Sequence, residues 1–177
     1  MSDLINIALR GRNKARFAGT AHHMAAERAS RKHIWFGVPV VIFSSIVATS
    51  IFGSISETPP STTWQIITGF VALTAAVLSA LQTFFRFAEQ SQMHLAAAAN
   101  FLSMRRKLDV FLARNRNSDE SSQEEMLQEL EHMLEELENI GRTAPVVSNA
   151  LYNQAKKEVI HSERFREREP VNDDERN

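Results

Sequence analysis

Two long uncharged stretches dominate the pattern of hydrophobic and polar positions along this chain. At 1.5 Å per residue, each is long enough to cross a hydrocarbon core of about 30 Å as a helix. Pro59 and Pro60, which lie between them, cannot continue a helix. The pattern therefore predicts an antiparallel hairpin of two transmembrane helices. The predicted segments are a first span at residues 34–56, an external loop at residues 57–63 and a second span at residues 64–86.

Basic residues lie on one side of these two spans. Seven lysines and arginines precede the first span, and Arg86 closes the second, whereas the connecting loop carries only Glu57. Because loops that stay in the cytoplasm are enriched in lysine and arginine, we expect both termini to be cytoplasmic.

The remaining sequence predicts cytoplasmic helices. Residues 87–115 contain no helix breaker, so we expect the second span to continue through them as one helix of about fifty residues, or ~75 Å. Apolar residues then recur at steps of three and four, as they do in packed helices. They are Leu127, Leu130, Leu134 and Leu137. The fold class predicted is an all-α membrane protein, a two-transmembrane helical hairpin whose long helices extend into a cytoplasmic helical bundle. The other segments are a basic pre-membrane helix at residues 1–33, packing helices at residues 121–141 and 145–168, and a disordered tail at residues 169–177.

The sequence offers no residues for catalysis. It has no cysteine, no glycine-rich phosphate loop, no nucleophile elbow and no paired-histidine metal motif. We therefore expect no enzyme activity, no catalytic residues, no metal site and no cofactor. The net charge of −1 gives no indication of nucleic-acid binding.

One face of the second span carries polar and small residues. They are Thr68, Ala75, Ser79, Gln82 and Arg86. This face is the candidate lining of a pore, and a pore requires a homo-oligomer because one hairpin cannot enclose a water path. The structural alternative is that hydroxyls bond to their own helix backbone and that small residues allow close helix packing.

A basic group precedes the first span. Arg28, Arg31 and Lys32 serve the topology and can contact anionic lipid head groups, at about 1 kcal/mol per charge. Binding of an anionic ligand is the alternative.

The whole pattern resembles the SLATT domain family, a two-transmembrane bacterial domain found beside nucleotide second-messenger synthetases and sensor proteins. The first span of that family typically starts with a proline kink and a hydroxyl pair, as Pro39, Ser44 and Ser45 do here. The second ends in a stretch like LSALQTFF at residues 78–85 and runs on to a histidine, here His94. The resemblance covers about residues 15 to 160.

The resemblance implies an effector of bacterial anti-phage defence that forms a gated pore in the inner membrane after a cytoplasmic signal. A nucleotide second messenger or a sensor protein encoded nearby would supply that signal. The alternative is a non-conducting membrane-anchored adaptor, in which the hairpin holds the cytoplasmic helices as a docking platform.

Overall fold

The computed structural model of the chain describes residues 2–54, 61–115 and 123–168. Its helices are α1 (Ser2–Ser54), α2 (Thr62–Phe85), α3 (Phe87–Arg114), α4 (Gln123–Thr143) and α5 (Asn149–Arg168). No strand occurs in the described residues. The predicted all-α fold with two apolar helices long enough to span a membrane is confirmed.

The apolar segments of α1 and α2 lie on the surface of the molecule. None of the most apolar segment of α1 is buried, and only 6% of that of α2 is buried. Trp35 and Phe84 are each 79% exposed. Core helices of soluble proteins bury such side chains, so α1 and α2 carry the surface of a membrane protein.

The chain divides into two compact units. The first unit comprises Met1–Ala26 and Gln92–Asn177, and the second comprises Glu27–Ser91. Helix α1 continues without interruption from Ser2 to Ser54, so the basic N-terminal segment and the first apolar segment belong to one helix.

The first unit has an apolar core made by α1, α3 and α4. Its largest fully buried side chains are Met104, Leu108, Phe111 and Leu130. Burial of one such side chain contributes about 1.5–3 kcal/mol. Ion pairs join α3 and α4 at the surface, where Lys107 Nζ lies 2.7 Å from a Glu136 carboxylate oxygen.

Two glycines of α1 allow other helices to approach closely. A Cβ atom added at Gly11 would lie 3.0 Å from a Leu134 methyl group of α4. One added at Gly19 would lie 3.3 Å from the Cβ of Phe101 in α3. Glycine costs about 1 kcal/mol relative to alanine inside a helix, and here this cost is offset by the closer packing.

The prediction of one uninterrupted helix from the second span to residue 115 is wrong at Arg86. This residue adopts the left-handed conformation, with φ 46° and ψ 41°, and separates α2 from α3. Phe87 is buried and stacks on Phe36 with ring centroids 5.6 Å apart. The Gln90 Nε2 group donates to the Phe85 carbonyl at 3.0 Å, replacing a helical bond. Tertiary packing therefore overrides the local helix propensity.

The packing helices also differ from their predicted limits. Helix α4 continues past Gly141 to Thr143, because a helical glycine in open space need not end a helix. Helix α5 begins at Asn149 and not at residue 145, since the Ser148 hydroxyl accepts a bond from the Leu151 amide at 3.4 Å and caps it. Residues 57–60 of the predicted loop, 121–122 of the predicted helix and 169–177 of the predicted tail lie outside the described residues.

The predicted apolar stripe of α4 needs one correction. Leu130 and Leu137 are buried and Leu134 packs against the core, whereas Leu127 is 42% exposed. Met126 occupies the core in its place. The stripe is displaced by one residue at its start because the buried face follows positions 126, 130, 134 and 137.

Candidate functional site

The predicted pore-lining residues of α2 differ in how far they are exposed to solvent. Ala75 is buried, Thr68 and Gln82 are partly buried, and Ser79 and Arg86 are exposed. We call residues 34–54 of α1 together with α2 the hairpin. The face drawn from the sequence therefore includes positions turned toward the other helix of the hairpin and positions turned away from it.

Gln82 contacts α1 inside the second unit. Its Nε2 atom lies 3.1 Å from Nδ1 of His33, which suits a hydrogen bond from the carboxamide N–H to the ring nitrogen. A Cβ atom added at Gly37 would lie 3.2 Å from the same nitrogen. The sequence indicated that this carboxamide needs a partner but did not identify His33, which is distant along the chain.

Five hydroxyl groups of the hairpin are bonded to their own helix. The hydroxyls of Ser45, Thr49, Ser50, Thr74 and Thr83 each donate to the carbonyl four residues earlier. The structural alternative for polar residues in a span therefore holds for these five. They give no reason to infer a site.

Ser44 and Ser79 differ from these five hydroxyls. In the described residues, neither side chain donates to the carbonyl one turn earlier. Both line a groove of about 440 Å³ between α1 and α2, which we call the hairpin groove. Its other lining residues are apolar, chiefly Ala48, Ala72 and Ala76. The hairpin thus has one open surface where two hydroxyls meet small side chains.

Arg86 lies at the end of α2 among aromatic and charged residues. It forms an ion pair with Glu89 in the first turn of α3. The adjacent Phe87 ring has the Lys32 ammonium 5.9 Å from its centroid. This spacing falls within the range of a cation–π contact.

The predicted basic group lies beside these residues. Arg28, Arg31 and Lys32 are all exposed, as contact with lipid head groups or with a ligand requires. Of these three, Lys32 has a described contact with an aromatic ring, that of Phe87.

The first unit contains a pair of histidines that the sequence did not connect. Nδ1 of His22 in α1 lies 3.0 Å from Nδ1 of His94 in α3, and the His22 ring stacks on Phe101. Burial, followed by the charge of His94, lowers the pKa of His22 to about 4. Burial also lowers the pKa of His94. Both imidazoles are therefore neutral at pH 7, and one of them donates its Nδ1 proton to the other.

This pair has no further metal-ligating neighbours in the parts of the chain that the structure describes, where no group of three or more histidine or acidic side chains is suitable for a metal ion. The two histidines are 72 residues apart in the sequence, so no local spacing pattern predicts their contact. The sequence marks only His94, as the histidine that follows the second span.

Comparison with known proteins gives one match. The model of "SMODS and SLOG-associating 2TM effector domain family 4" matches residues 10–169. This range includes both spans and the helices α3, α4 and α5, and it omits only residues 2–9 of the described part of the chain. No curated protein and no solved structure matches the chain.

Proposed function

Since the chain belongs to the family of SMODS and SLOG-associating two-transmembrane effector domains, and is thereby a membrane effector of conflict systems, we propose that it acts in bacterial anti-phage defence. In this proposal several copies assemble in the inner membrane and open a gated pore after a cytoplasmic signal. The action is non-catalytic. The signal is a nucleotide second messenger or a sensor protein.

The observation that carries the pore proposal is the hairpin groove. Ser44 and Ser79 offer hydroxyls that their own helices do not use, at a depth where the surrounding side chains are apolar. Polar groups inside a membrane commonly line ion or solute paths. A groove of this size on one hairpin encloses nothing, so the path requires several hairpins around an axis.

The predicted pore-lining residues are not equally well placed to line the proposed pore. Ser79 lies in the hairpin groove, and Arg86 is exposed at its end of α2. Gln82 contacts His33, so it would reach a pore only after a rearrangement within the hairpin, whereas Ala75 is buried and lines the same groove as Ser79. Thr68 is partly buried and remains a candidate.

Membrane potential tests the proposal directly. We would measure it by dye fluorescence in bacteria that express the chain with and without its neighbouring genes and a phage challenge. Depolarisation that depends on the challenge supports a gated pore. An unchanged potential with a correctly inserted protein contradicts it and favours the membrane-anchored adaptor.

A pair of matched variants tests the groove. Replacing Ser44 by leucine fills the hairpin groove and removes a free hydroxyl, so we expect challenge-dependent depolarisation to be lost with insertion unchanged. Ser45→Leu is the control, because the Ser45 hydroxyl is bonded to the Val41 carbonyl at 2.8 Å. Equal effects of the two changes would place the conducting path elsewhere.

The basic group needs its own test. If Arg28, Arg31 and Lys32 serve the topology, neutralising all three together should reduce correct insertion of the hairpin. If they bind the signal, the same change should abolish triggering in cells without altering insertion.

A further inference from the structure

A groove in the first unit has no role in the proposed pore. Helices α1, α3 and α5 enclose about 480 Å³ there, within the usual size range of small-molecule sites, roughly 300–1,000 Å³. We call it the arginine groove. Its apolar lining includes Ala15, Gly19, Ala98, Leu102 and Val159.

Charged side chains line the same groove. Arg16 of α1 and Arg105 of α3 contribute guanidinium groups, and Glu158 of α5 contributes one carboxylate. The two arginines lie at the same end, because α1 and α3 run antiparallel. Arg12 pairs with Asp109 near that end, and His22 meets His94 near the other.

The balance of charge at this end favours an anion. Asp109 is shared by two guanidinium groups, with its oxygens 2.8 Å from Arg12 Nε and 3.5 Å from Arg105 Nε. Neither Nε–H is aligned for a hydrogen bond, although both nitrogens are buried. Asp109 therefore cannot fully balance both guanidinium groups. Arg105 lines the groove with a partly exposed side chain, so an anion in the groove would be attracted to its uncompensated positive charge.

We propose that the arginine groove binds a small organic phosphate, with its phosphate against Arg105 and its apolar body over the alanines and Leu102. Phosphate suits this site because the planar guanidinium presents paired donors to it. The hydroxyls of Thr20 and Ser162 lie on the groove lining, where they can bond to polar atoms of the body. The further idea that the arginine groove binds the cytoplasmic signal rests on the proposed function.

The first experiment measures binding of a fluorescent nucleotide. The full chain in phosphatidylcholine nanodiscs is titrated with mant-AMP, and fluorescence anisotropy is recorded. Mant-adenosine, which lacks the phosphate, is the matched probe. We expect mant-AMP to bind saturably. Mant-adenosine should bind about tenfold more weakly, or weaker still, because it lacks the charged hydrogen bond of the phosphate. Equal binding of the two probes, or none up to about 1 mM mant-AMP, overturns the proposal.

Variants then locate the site. Arg105→Gln should weaken mant-AMP binding about tenfold or more, and the remaining Arg12 still pairs with Asp109. Arg106→Gln is the control, because Arg106 is exposed, adjacent and absent from the groove lining. Ala99→Phe fills the groove from an exposed position without changing charge, and it should also weaken binding. Circular dichroism melts show which variants are folded. Equal affinities of folded Arg105→Gln and Arg106→Gln overturn the proposal.

These measurements separate this inference from the pore. Binding is recorded on purified protein without any current, so a chain that binds mant-AMP but never depolarises cells contradicts only the proposed function. A chain that depolarises cells on challenge but binds no phosphate contradicts only the arginine groove.

Discussion

At the scale of single residues, two polar contacts of this protein join side chains on different helices. His22 meets His94 in the first unit, and Gln82 meets His33 in the second. In each pair an imidazole supplies a ring nitrogen at hydrogen-bond distance. Such pairs specify how two helices align, because a shift of one helix would leave a buried polar group without a partner.

The histidine pair predicts a dependence of stability on pH. The unfolded chain binds a proton at each histidine near pH 6.5, whereas folded His22, with its pKa lowered to about 4, stays neutral. The unfolded state therefore binds more protons in this range, so stability is greatest above pH 6.5 and falls as the pH is lowered toward 4. Thermal melts between pH 7.5 and 5 should show a falling midpoint.

The control for this prediction is a second histidine. A His22→Gln variant should lose part of this pH dependence, while His132→Gln, at an exposed position of α4, should keep it. The same slope in both variants would show that His22 does not cause the effect.

At the scale of helices, the break at Arg86 is the feature that local propensity opposes. Residues 84–90 contain neither glycine nor proline, yet the chain leaves the helical conformation there. The left-handed conformation costs a residue with a side chain roughly 1–2 kcal/mol. The stack of Phe36 on Phe87 and the bond from Gln90 to Phe85 offset this cost.

Two substitutions at this position should therefore differ. Arg86→Gly and Arg86→Ala both remove the ion pair with Glu89, but only glycine adopts positive φ without strain. We expect the glycine variant to be more stable than the alanine variant by about 1 kcal/mol in thermal or denaturant unfolding of the chain in detergent. Greater stability of the alanine variant would indicate that α2 and α3 form one helix in solution.

The corrected stripe of α4 gives a second prediction at this scale. Leu130→Ala removes a fully buried side chain and should cost about 2–5 kcal/mol of unfolding free energy. Leu127→Ala, three residues earlier and 42% exposed, should cost well under half as much. Urea unfolding followed by circular dichroism measures both. Similar costs would restore Leu127 to the core.

Some features of these helices could be predicted from the sequence pattern, and others could not. Uniform apolar runs determine the two spans, and steps of three and four determine that α4 packs, because both signals are local. The break at Arg86 depends on Phe36, about fifty positions away, and no local signal marks it. The candidate sites divide in the same way: Ser79 was visible as a hydroxyl in a span, but its proximity to Ser44 required the fold.

At the scale of the whole molecule, the orientation of the chain in the membrane is a prediction from its basic residues. The absence of cysteine makes it testable with single introduced thiols. Val146, which is 95% exposed between α4 and α5, is suited to replacement by cysteine. If it is cytoplasmic, a membrane-impermeant maleimide should label Val146→Cys only after the cells are opened.

A position near the external loop completes this test. Thr62 is exposed at the start of α2, and Thr62→Cys should react with the same reagent in intact spheroplasts. Labelling of Val146→Cys in intact spheroplasts, with Thr62→Cys protected, would invert the predicted orientation.

The division of the chain into units also bears on its biosynthesis. The first unit is built from Met1–Ala26 and from Gln92 onward, so the ribosome makes its two parts before and after the entire second unit. The N-terminal part of α1, in Met1–Ala26, therefore cannot pack against its core partners until both spans have been synthesised. Its small buried residues, such as Ala8 and Ala15, then meet Phe101 and Leu108 for the first time. This core can therefore form only after both spans have been synthesised. A chain that stalls before that point exposes an unpaired apolar face, which cellular quality control can recognise.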